Sequence, residues 1–226
     1  AAGYTEAINY SFTSIDLLST FSMDEHVLPL ANALNADMAV MRTALLPGLM
    51  ETAQRNLRRQ QDRLRVFEIG TVFDQEESLT ETLNVAALAC GNIYPEQWGS
   101  EARKTDFYDL KGDLQSMLAL RGETGEVEFR NAELAWLHPG QAAMVSIDGT
   151  DIGWIGSVHP SILKQMEIKV PVLAFELNVN VLSKREIPYT NEISRFPSVR
   201  RDLALRVPEQ VSFAEIRTNV IDLSGD

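Results

Sequence analysis

From Leu46 onward, apolar residues recur at the spacing of an amphipathic helix. The apolar positions that fall on one face of the helical wheel are Leu46, Leu49, Met50, Ala53, Leu57 and Leu64. The opposite face is basic and carries Arg55, Arg58, Arg59 and Arg63. The next segment, residues 65–73, is rich in β-branched and aromatic side chains, which predicts a largely covered strand. The pattern therefore predicts a long helix with one face in the core and the other in water, followed at once by a buried strand.

Several other segments have the patterns of strands. Near the start of the chain, Ile8, Tyr10 and Phe12 alternate with polar residues, which predicts a strand with one buried face. The continuous apolar run 83–90 is suited to pair antiparallel with the strand at 65–73. Asp148 and Gly149 separate two apolar segments and are a strong signal for a β-hairpin. The strands predicted around this hairpin and beyond it are residues 127–130, 141–147, 152–158 and 172–179. These segments predict an antiparallel sheet in a fold of the α+β class.

A second helix is predicted over residues 106–120, with a candidate C-terminal cap at Gly122. Its apolar stripe consists of Phe107, Leu110, Leu114, Met117 and Leu118. Lys111 and Asp113 lie off this stripe, so we expect them on a solvated helix face.

The last part of the chain predicts a separate domain. Residues 184–195 contain Pro188 and show no apolar periodicity, which is typical of a linker, so we place a boundary near Ser194. This divides the chain into domains at residues 1–193 and 194–226. In the second domain Leu203, Leu205 and Val207 alternate as in a strand. Ser212 and Glu215 then form a capping box, which predicts a helix that begins at Ser212. A strand followed by a capped helix is half of a β-α-β-β-α-β unit.

Charge and composition limit the classes of partner. The net charge of −12 over 226 residues argues against broad attraction to nucleic acid, so any contact with RNA must be local. The candidates are the arginine face of the long helix and a cluster formed by Arg195, Arg200 and Arg201, although a solvated surface or a protein interface is the favoured interpretation of both. No apolar run approaches the roughly 20 residues of a membrane span. Cys90 is the single cysteine, which excludes a disulfide within the chain and is consistent with a reducing cytoplasm. Because the chain lacks an initiator Met, we expect it to be part of a longer protein.

No motif for metal binding or for a familiar catalytic centre stands out. His138 and His159 each precede a proline, and neither has a His or Cys at the spacing of a metal ligand, so turn corners are the better interpretation. The sequence contains no P-loop, no nucleophile elbow and no paired-cysteine motif. We therefore expect neither a metal ion nor a cofactor in this chain.

Two stretches carry a resemblance to a known family. The sequence MRTALLPGL, followed by a basic helix and RVFEIGTVF, resembles the catalytic-like core of the bacterial phenylalanyl-tRNA synthetase beta subunit, and the resemblance extends along nearly the whole chain. It implies a class II aminoacyl-tRNA synthetase-like antiparallel sheet flanked by helices for residues 1–193. RFPSVRRDLAL resembles the start of a ferredoxin-like anticodon-binding domain. The first predicted strand then corresponds to the end of motif 1, the element through which class II cores pair.

The resemblance also implies that the chemistry of class II synthetases is missing. Laid on motif 2, the strand 65–73 is followed by Asp74 where the catalytic arginine belongs. Laid on motif 3, Glu176 and Asn178 replace glycines, and Val181 replaces the second arginine. Adenylate formation spreads negative charge over phosphoryl oxygens and requires cations, so we expect no catalytic residue here. Arg42 and Thr43 match an RT pair of the catalytic alpha subunit, but a turn whose arginine is held by carboxylates is the favoured interpretation.

For the whole enzyme, the family implies a catalytic alpha subunit in an α2β2 heterotetramer, tRNA(Phe) as substrate, ATP and magnesium, and a cytoplasmic location. The residues that could contact tRNA or the alpha subunit are Arg42, Arg55, Arg58, Arg59, Arg63, Arg200 and Arg201. Two alternatives remain open from the residues. One is an active class II ligase with rearranged motifs, and the other is a free-standing tRNA-binding module.

Overall fold

The fold is described by a computed structural model that covers residues 2–99, 101–122, 126–183, 199–208 and 210–224. The chain divides into two compact units, residues 1–188 and 189–226, and each is described by itself. The predicted linker, the domain boundary near Ser194 and Arg195 lie outside the described residues.

The larger unit combines a sheet with helices on both of its faces. Its strands are β1 (Thr5–Glu6), β2 (Phe12–Thr13), β3 (Val40–Met41), β4 (Leu64–Asp74), β5 (Thr80–Cys90), β6 (Val127–Asn131), β7 (Leu137–Ile147), β8 (Thr150–Val158) and β9 (Val172–Asn178). Its α-helices are α1 (Ile15–Thr20), α2 (Leu46–Arg58), α3 (Phe107–Leu118), α4 (Pro160–Gln165) and α5 (Asn180–Ser183). Short 3-10 helices occur at Ala36–Met38 and Ala119–Arg121.

Seven strands form one sheet in the order β1-β4-β5-β9-β8-β7-β6. All neighbours are antiparallel except β1, which runs parallel to β4. The β4–β5 pairing joins Val66 to Leu88, as the apolar runs predicted. The β7–β8 hairpin also forms as predicted, and Asp148 and Gly149 both take positive φ at its turn. The mixed α/β architecture with a mostly antiparallel sheet is therefore confirmed. The class II synthetase-like core and the ferredoxin-like start of the second domain remain expectations.

Helices α2 and α3 cover opposite faces of this sheet, because successive side chains of a strand point to opposite sides. The buried strand residues on the α2 side are Val66, Val72, Ala86, Leu88, Val172 and Ala174. The buried strand residues on the α3 side are Val85, Ala87, Ala89, Val145, Ile155, Leu173, Phe175 and Leu177. Each fully buried Leu or Val side chain contributes about 1.5–3 kcal/mol of stability. Two apolar layers therefore hold the sheet between the helices.

The long helix is shorter than its apolar pattern predicted. It ends at Arg58, and Gln60 has φ of 64°, a left-handed conformation that reverses the chain. Leu64 therefore begins β4 and does not lie on the helix. Arg59 and Arg63 likewise lie beyond the last helical residue.

The prediction that Ile8, Tyr10 and Phe12 form the buried face of one strand is wrong. Only Thr5 and Glu6 pair with β4, and Phe12 belongs to a separate two-stranded sheet. Between these strands Ile8 is 89% exposed and Tyr10 is 69% exposed. The physical reason is that Asn9 turns inward and binds the carboxylate of Glu68, which directs its two neighbours outward.

In the smaller unit, the capped helix is confirmed as α6 (Phe213–Ser224). The Ser212 hydroxyl accepts the Glu215 N–H, and the Glu215 carboxylate accepts the Ser212 N–H. The strand predicted through Leu203 and Leu205 is wrong, since no strand occurs in residues 199–208 and both side chains are exposed. The described part of this unit holds no neighbouring strand that could pair with that backbone.

No helix within the described ranges is long and apolar enough to span a membrane.

Candidate functional site

A cleft of about 500 Å³ opens on the α2 face of the sheet, where the helix leaves the strands uncovered. The strand residues that line it lie at the end of β4, the middle of β5 and the adjoining ends of β8 and β9. The lining residues are Ser22, Met23, Glu25, His26, Thr43, Ala44, Asp74, Asn84, Trp136, Ile152, Gly153, Trp154, Glu176, Leu177 and Asn178. The cleft thus contains Asp74, Glu176 and Asn178, three of the positions where the sequence departs from the class II motifs.

The cleft is acidic. It is lined by the carboxylates of Glu25, Asp74 and Glu176, and among the described residues that line it none is Lys or Arg. Nδ1 of His26 lies 3.8 Å from Oδ2 of Asp74. Electrostatically, this arrangement repels anions and attracts cations.

Glu176 is the buried floor of the cleft and also holds the start of α2. Its side chain is only 3% exposed, and its carboxylate accepts the backbone N–H groups of Leu45 and Leu46 at 3.1–3.2 Å. Asn84 donates a further hydrogen bond at 2.8 Å. Burial raises the pKa of Glu176 above its ordinary value, while these hydrogen bonds oppose the rise. The first N–H groups of the helix are therefore satisfied by a carboxylate of the chain itself.

Arg42 and its partners form a second set of buried polar contacts, in addition to those of Glu176. Its side chain is paired with Glu68 at 2.5 Å and donates to the carbonyl of Thr71 at 2.9 Å. Asn9 completes the shell of Glu68 by donating its side-chain amide at 2.6 Å. Both charged residues are buried, so the favoured interpretation of Arg42 as an arginine held within the fold fits this geometry.

Gly70 makes room for that arginine. A Cβ at this position would lie 2.1 Å from Nη2 of Arg42 and 3.3 Å from a methyl group of Leu45. The glycine that matches motif 2 therefore lets a guanidinium pass across the strand in this structure.

The five candidate arginines of the larger unit differ in their environments and partners. Arg42 is buried, and Arg63 donates to the backbone carbonyls of Asn92 and Ile93. Arg58 pairs with Glu167 at the surface, and Arg55 donates to the hydroxyl of Thr52. The exposed members of the set are Arg55, Arg58 and Arg59 in the larger unit, and Arg200 and Arg201 in the smaller unit.

The solvated role predicted for Lys111 and Asp113 is wrong. Asp113 is half-buried and accepts hydrogen bonds from Arg65 at 2.6 Å and Tyr4 at 3.0 Å. The ammonium of Lys111 lies 4.2 Å from the centre of the Phe129 ring. Helix α3 therefore uses its polar flank to bind β4 and β6, which a helical wheel does not show because it has no information on neighbouring strands.

The histidines play different parts. Nδ1 of His138 accepts the N–H of Gly140, and Nδ1 of His159 accepts the N–H of Ser161. His159 forms the predicted corner, between β8 and the start of α4. The turn predicted at His138 is wrong, because this residue lies within β7, where the pairing with β8 is irregular. The sequence reasoning did not single out His26, which lies with Asp74 and Glu76 so that their ligand atoms are within 4.8 Å of one another. All three are exposed, and such a group does not identify a metal site by itself.

Comparison with known proteins places this fold in a family. A family model described as the phenylalanyl tRNA synthetase beta chain CLM domain matches residues 1–179. The chain belongs to the phenylalanyl-tRNA synthetase beta chain family. The phenylalanine–tRNA ligase beta subunit of Xanthomonas oryzae pv. oryzae (strain MAFF 311018) is 46% identical over 219 residues, which are 95% of this chain and 27% of that protein. The beta subunit of Xylella fastidiosa (strain Temecula1 / ATCC 700964) is 44% identical over 224 residues, which are 97% and 28%.

The chain therefore spans about a quarter of the length of the relatives it matches. The resemblance drawn from MRTALLPGL and RVFEIGTVF is confirmed by this family membership. Members of the cleft that the sequence did not single out include Glu25, His26, Asn84, Trp136 and Trp154. Apolar and amide residues within strand patterns carry no signal that distinguishes a cleft wall from a core position.

Proposed function

We propose that this chain is the part of a phenylalanine–tRNA ligase beta subunit that keeps a class II core fold without its chemistry. In this proposal it holds the catalytic alpha subunit of an α2β2 enzyme and helps to position tRNA(Phe). The whole enzyme uses ATP and magnesium, whereas this chain binds neither. The names of the relatives and the matching family model support the assignment to the beta subunit.

The observation that carries the proposal is the sign of the charge in the cleft on the α2 face. Formation of an aminoacyl adenylate places a triphosphate beside groups that must stabilise negative charge. Here the side chains are Glu25, Asp74 and Glu176. A phosphate oxygen about 4 Å from an uncompensated carboxylate is repelled by about 4 kcal/mol at an effective dielectric constant of 20. A nucleotide in this cleft would therefore be strongly disfavoured.

The start of α2 offers no alternative site for a phosphate. Helix N-termini bind anions through their free N–H groups. The N–H groups of Leu45 and Leu46 are already bound by Glu176, which is buried and cannot leave without exposing its own charge to an apolar core. The helix end therefore contributes to folding and is not available for nucleotide binding.

The role in holding another subunit is supported by an apolar surface at the start of the chain. Ile8 and Tyr10 are exposed, and the rings of Tyr10 and Phe12 stack with centroids 5.2 Å apart. A cavity of about 570 Å³ beside them is lined by Phe12 and Met38 among others. Exposed apolar groups next to a cavity are typical of protein interfaces.

The experiment is co-purification of the chain with the alpha subunit, followed by phenylalanine-dependent pyrophosphate exchange with each piece alone and with both. We expect the chain to co-purify and to show no exchange by itself. Replacement of both Ile8 and Tyr10 by Asp should abolish co-purification. Trp98→Asp, at an exposed aromatic residue elsewhere in the larger unit, is the matched control and should leave co-purification intact. Exchange catalysed by the chain alone would instead establish an active ligase with rearranged motifs.

The contribution to tRNA binding is tested by charge reversal on Arg58 and Arg59, the exposed arginines at the end of α2 and just beyond it. The double variant Arg58→Glu and Arg59→Glu should weaken binding of tRNA by the assembled enzyme and leave association with alpha unchanged. Arg130→Glu reverses the charge of a single exposed arginine on the β6 edge and serves as the control for position. Equal affinity of all three proteins for tRNA would remove these arginines from the proposal. Salt-sensitive tRNA binding by the chain without alpha would favour a free-standing module.

A further inference from the structure

The cleft on the α2 face has aromatic walls as well as acidic groups. Trp136 and Trp154 line it with ring centroids 6.0 Å apart and planes inclined at 66°. Trp154 is the cross-strand neighbour of Glu176 in the β8–β9 ladder. The indole of Trp154 and the buried carboxylate therefore lie side by side on the same face of the sheet.

The negative charges of the cleft are only partly balanced. Glu176 is compensated by N–H groups at its base. Asp74 accepts the N–H of Glu76 and faces His26, which lies 3.8 Å away. Within the described residues, Glu25 makes no hydrogen bond or ion pair. The rim therefore carries net negative charge above a floor that contains two indoles.

The combination of aromatic faces and carboxylates is the recognition chemistry of organic cations. An ammonium or guanidinium group is attracted to an indole face and to a carboxylate at once. A volume of about 500 Å³ lies within the range of small-molecule sites. The stem of such a ligand would pack on the apolar lining, which includes Met23 and Leu177.

We propose that the cleft binds a small organic cation, with a primary ammonium or guanidinium group carried on an apolar stem. This inference rests on the proposed function, since it requires that no nucleotide occupies the same space. The cationic group lies between Asp74 and the indole of Trp136, and the stem lies toward Trp154. The negative charge of the cleft, which repels the phosphates of ATP, attracts a protonated amine.

A divalent metal ion makes a different demand on the same region. It would use His26, Asp74 and Glu76, whose ligand atoms approach one another at the exposed edge of the cleft. Those contacts do not involve either indole, because aromatic carbon is not a metal ligand. Dependence of binding on Trp136 therefore separates an organic cation from a metal ion.

The test is a fluorescence titration of the chain carrying Trp98→Phe. Trp98 is fully exposed, and its removal leaves only the two tryptophans that line the cleft. The probes are 1,5-diaminopentane, 1,5-pentanediol as a neutral molecule of the same length, magnesium chloride, and ATP with magnesium. We expect saturable fluorescence change with the diamine and none with the diol or with magnesium alone.

Variants of the cleft make the assignment specific. Trp136→Leu and Asp74→Asn should each weaken the diamine by tenfold or more, and Trp136→Phe should retain most of the affinity because it keeps an aromatic face. Circular dichroism confirms that each variant is folded before titration. Absence of saturation, equal affinity for the diol, or unchanged affinity in Trp136→Leu would overturn the inference. Saturable ATP binding would overturn the proposed function as well, whereas loss of the diamine response without ATP binding would overturn this inference alone.

Discussion

The two helices that cover the sheet begin in opposite ways. At the start of α2 no local side chain caps the helix, and the acceptor for its first N–H groups is Glu176 on β9, which is buried. At the start of α3, Asp106 accepts the N–H groups of Tyr108 and Asp109 and forms a capping box at the surface. Helix α3 thus carries its own N-terminal cap, whereas the start of α2 depends on a residue of the sheet.

The difference shows where this protein places charge inside its core. The α3 side of the sheet is filled mainly by apolar side chains, together with the ion pair between buried Arg65 and half-buried Asp113 of α3. The α2 side also holds the buried charges of Glu176, Glu68 and Arg42, all of them bonded to groups of the same chain. The α2 side is therefore polar, but its polar groups are hydrogen-bonded within the chain and stabilise the fold.

The largest expected effect is on the buried ion pair beside α2. Arg42→Met should destabilise the chain by about 3–5 kcal/mol, because it leaves Glu68 charged and buried without its partner. Urea unfolding measures this loss. The double variant Arg42→Met and Glu68→Gln should recover part of the stability. A loss below about 1 kcal/mol for the single variant would show that Arg42 does not balance a buried charge.

The next largest effect is expected from the long-range anchor of α2. Glu176→Ala should cost about 2–4 kcal/mol, because buried N–H groups lose their acceptor and each unsatisfied group costs about 1–3 kcal/mol. Hydrogen exchange should rise at the first turn of α2 and stay unchanged at the first turn of α3. Uniform change at both helix starts would contradict a specific anchoring role.

A smaller effect is expected from the local cap of α3. Asp106→Ala should cost about 1 kcal/mol, the usual loss for an exposed N-cap. The same urea unfolding and hydrogen exchange apply, now with the change confined to α3. A loss as large as that of Glu176→Ala would mean that burial does not distinguish the two helix starts.

The smallest and most specific signal is the pH dependence of stability, which should have opposite signs at the two helix starts. Burial raises the pKa of Glu176 above 4.5, so its contribution is fully present below the unfolded value and is lost as pH rises through the folded value. Arg103 lowers the pKa of Asp109 below 3.8, so its contribution is present above that value and is lost on acidification. Relative to Glu176→Gln, the wild type should therefore lose stability as pH rises above about 4.5.

Relative to Asp109→Asn, the wild type should lose stability as pH falls toward 3.8. Urea unfolding from pH 3.5 to 8 measures both slopes. If the stability differences of the two variants changed with pH in the same direction, the predicted difference between buried Glu176 and partly exposed Asp109 would be contradicted.

Much of the fold followed from local patterns. The spacing of Leu46, Leu49 and Met50 gave the buried face of α2, and Asp148 with Gly149 gave the β7–β8 turn. The errors arose where tertiary contacts decide. Ile8 is directed outward because Asn9 binds Glu68, which is 59 positions away in the sequence.

The candidate site was only partly accessible from sequence. The resemblance to the family pointed to Asp74 and Glu176 as departures from the motifs. It could not show that Glu176 binds the start of α2, because those residues are about 130 positions apart and meet only through the sheet. The aromatic wall formed by Trp136 and Trp154 depends on the β7–β8 hairpin and on the β8–β9 ladder together.

Calorimetric titration of the chain with ATP and magnesium measures whether the acidic cleft excludes nucleotide. A cleft lined by carboxylates, with the helix end occupied by Glu176, predicts no saturable heat at millimolar nucleotide. Saturable binding of ATP that is lost on replacement of Trp136 would place the nucleotide in this cleft and show that its carboxylates do not exclude phosphate.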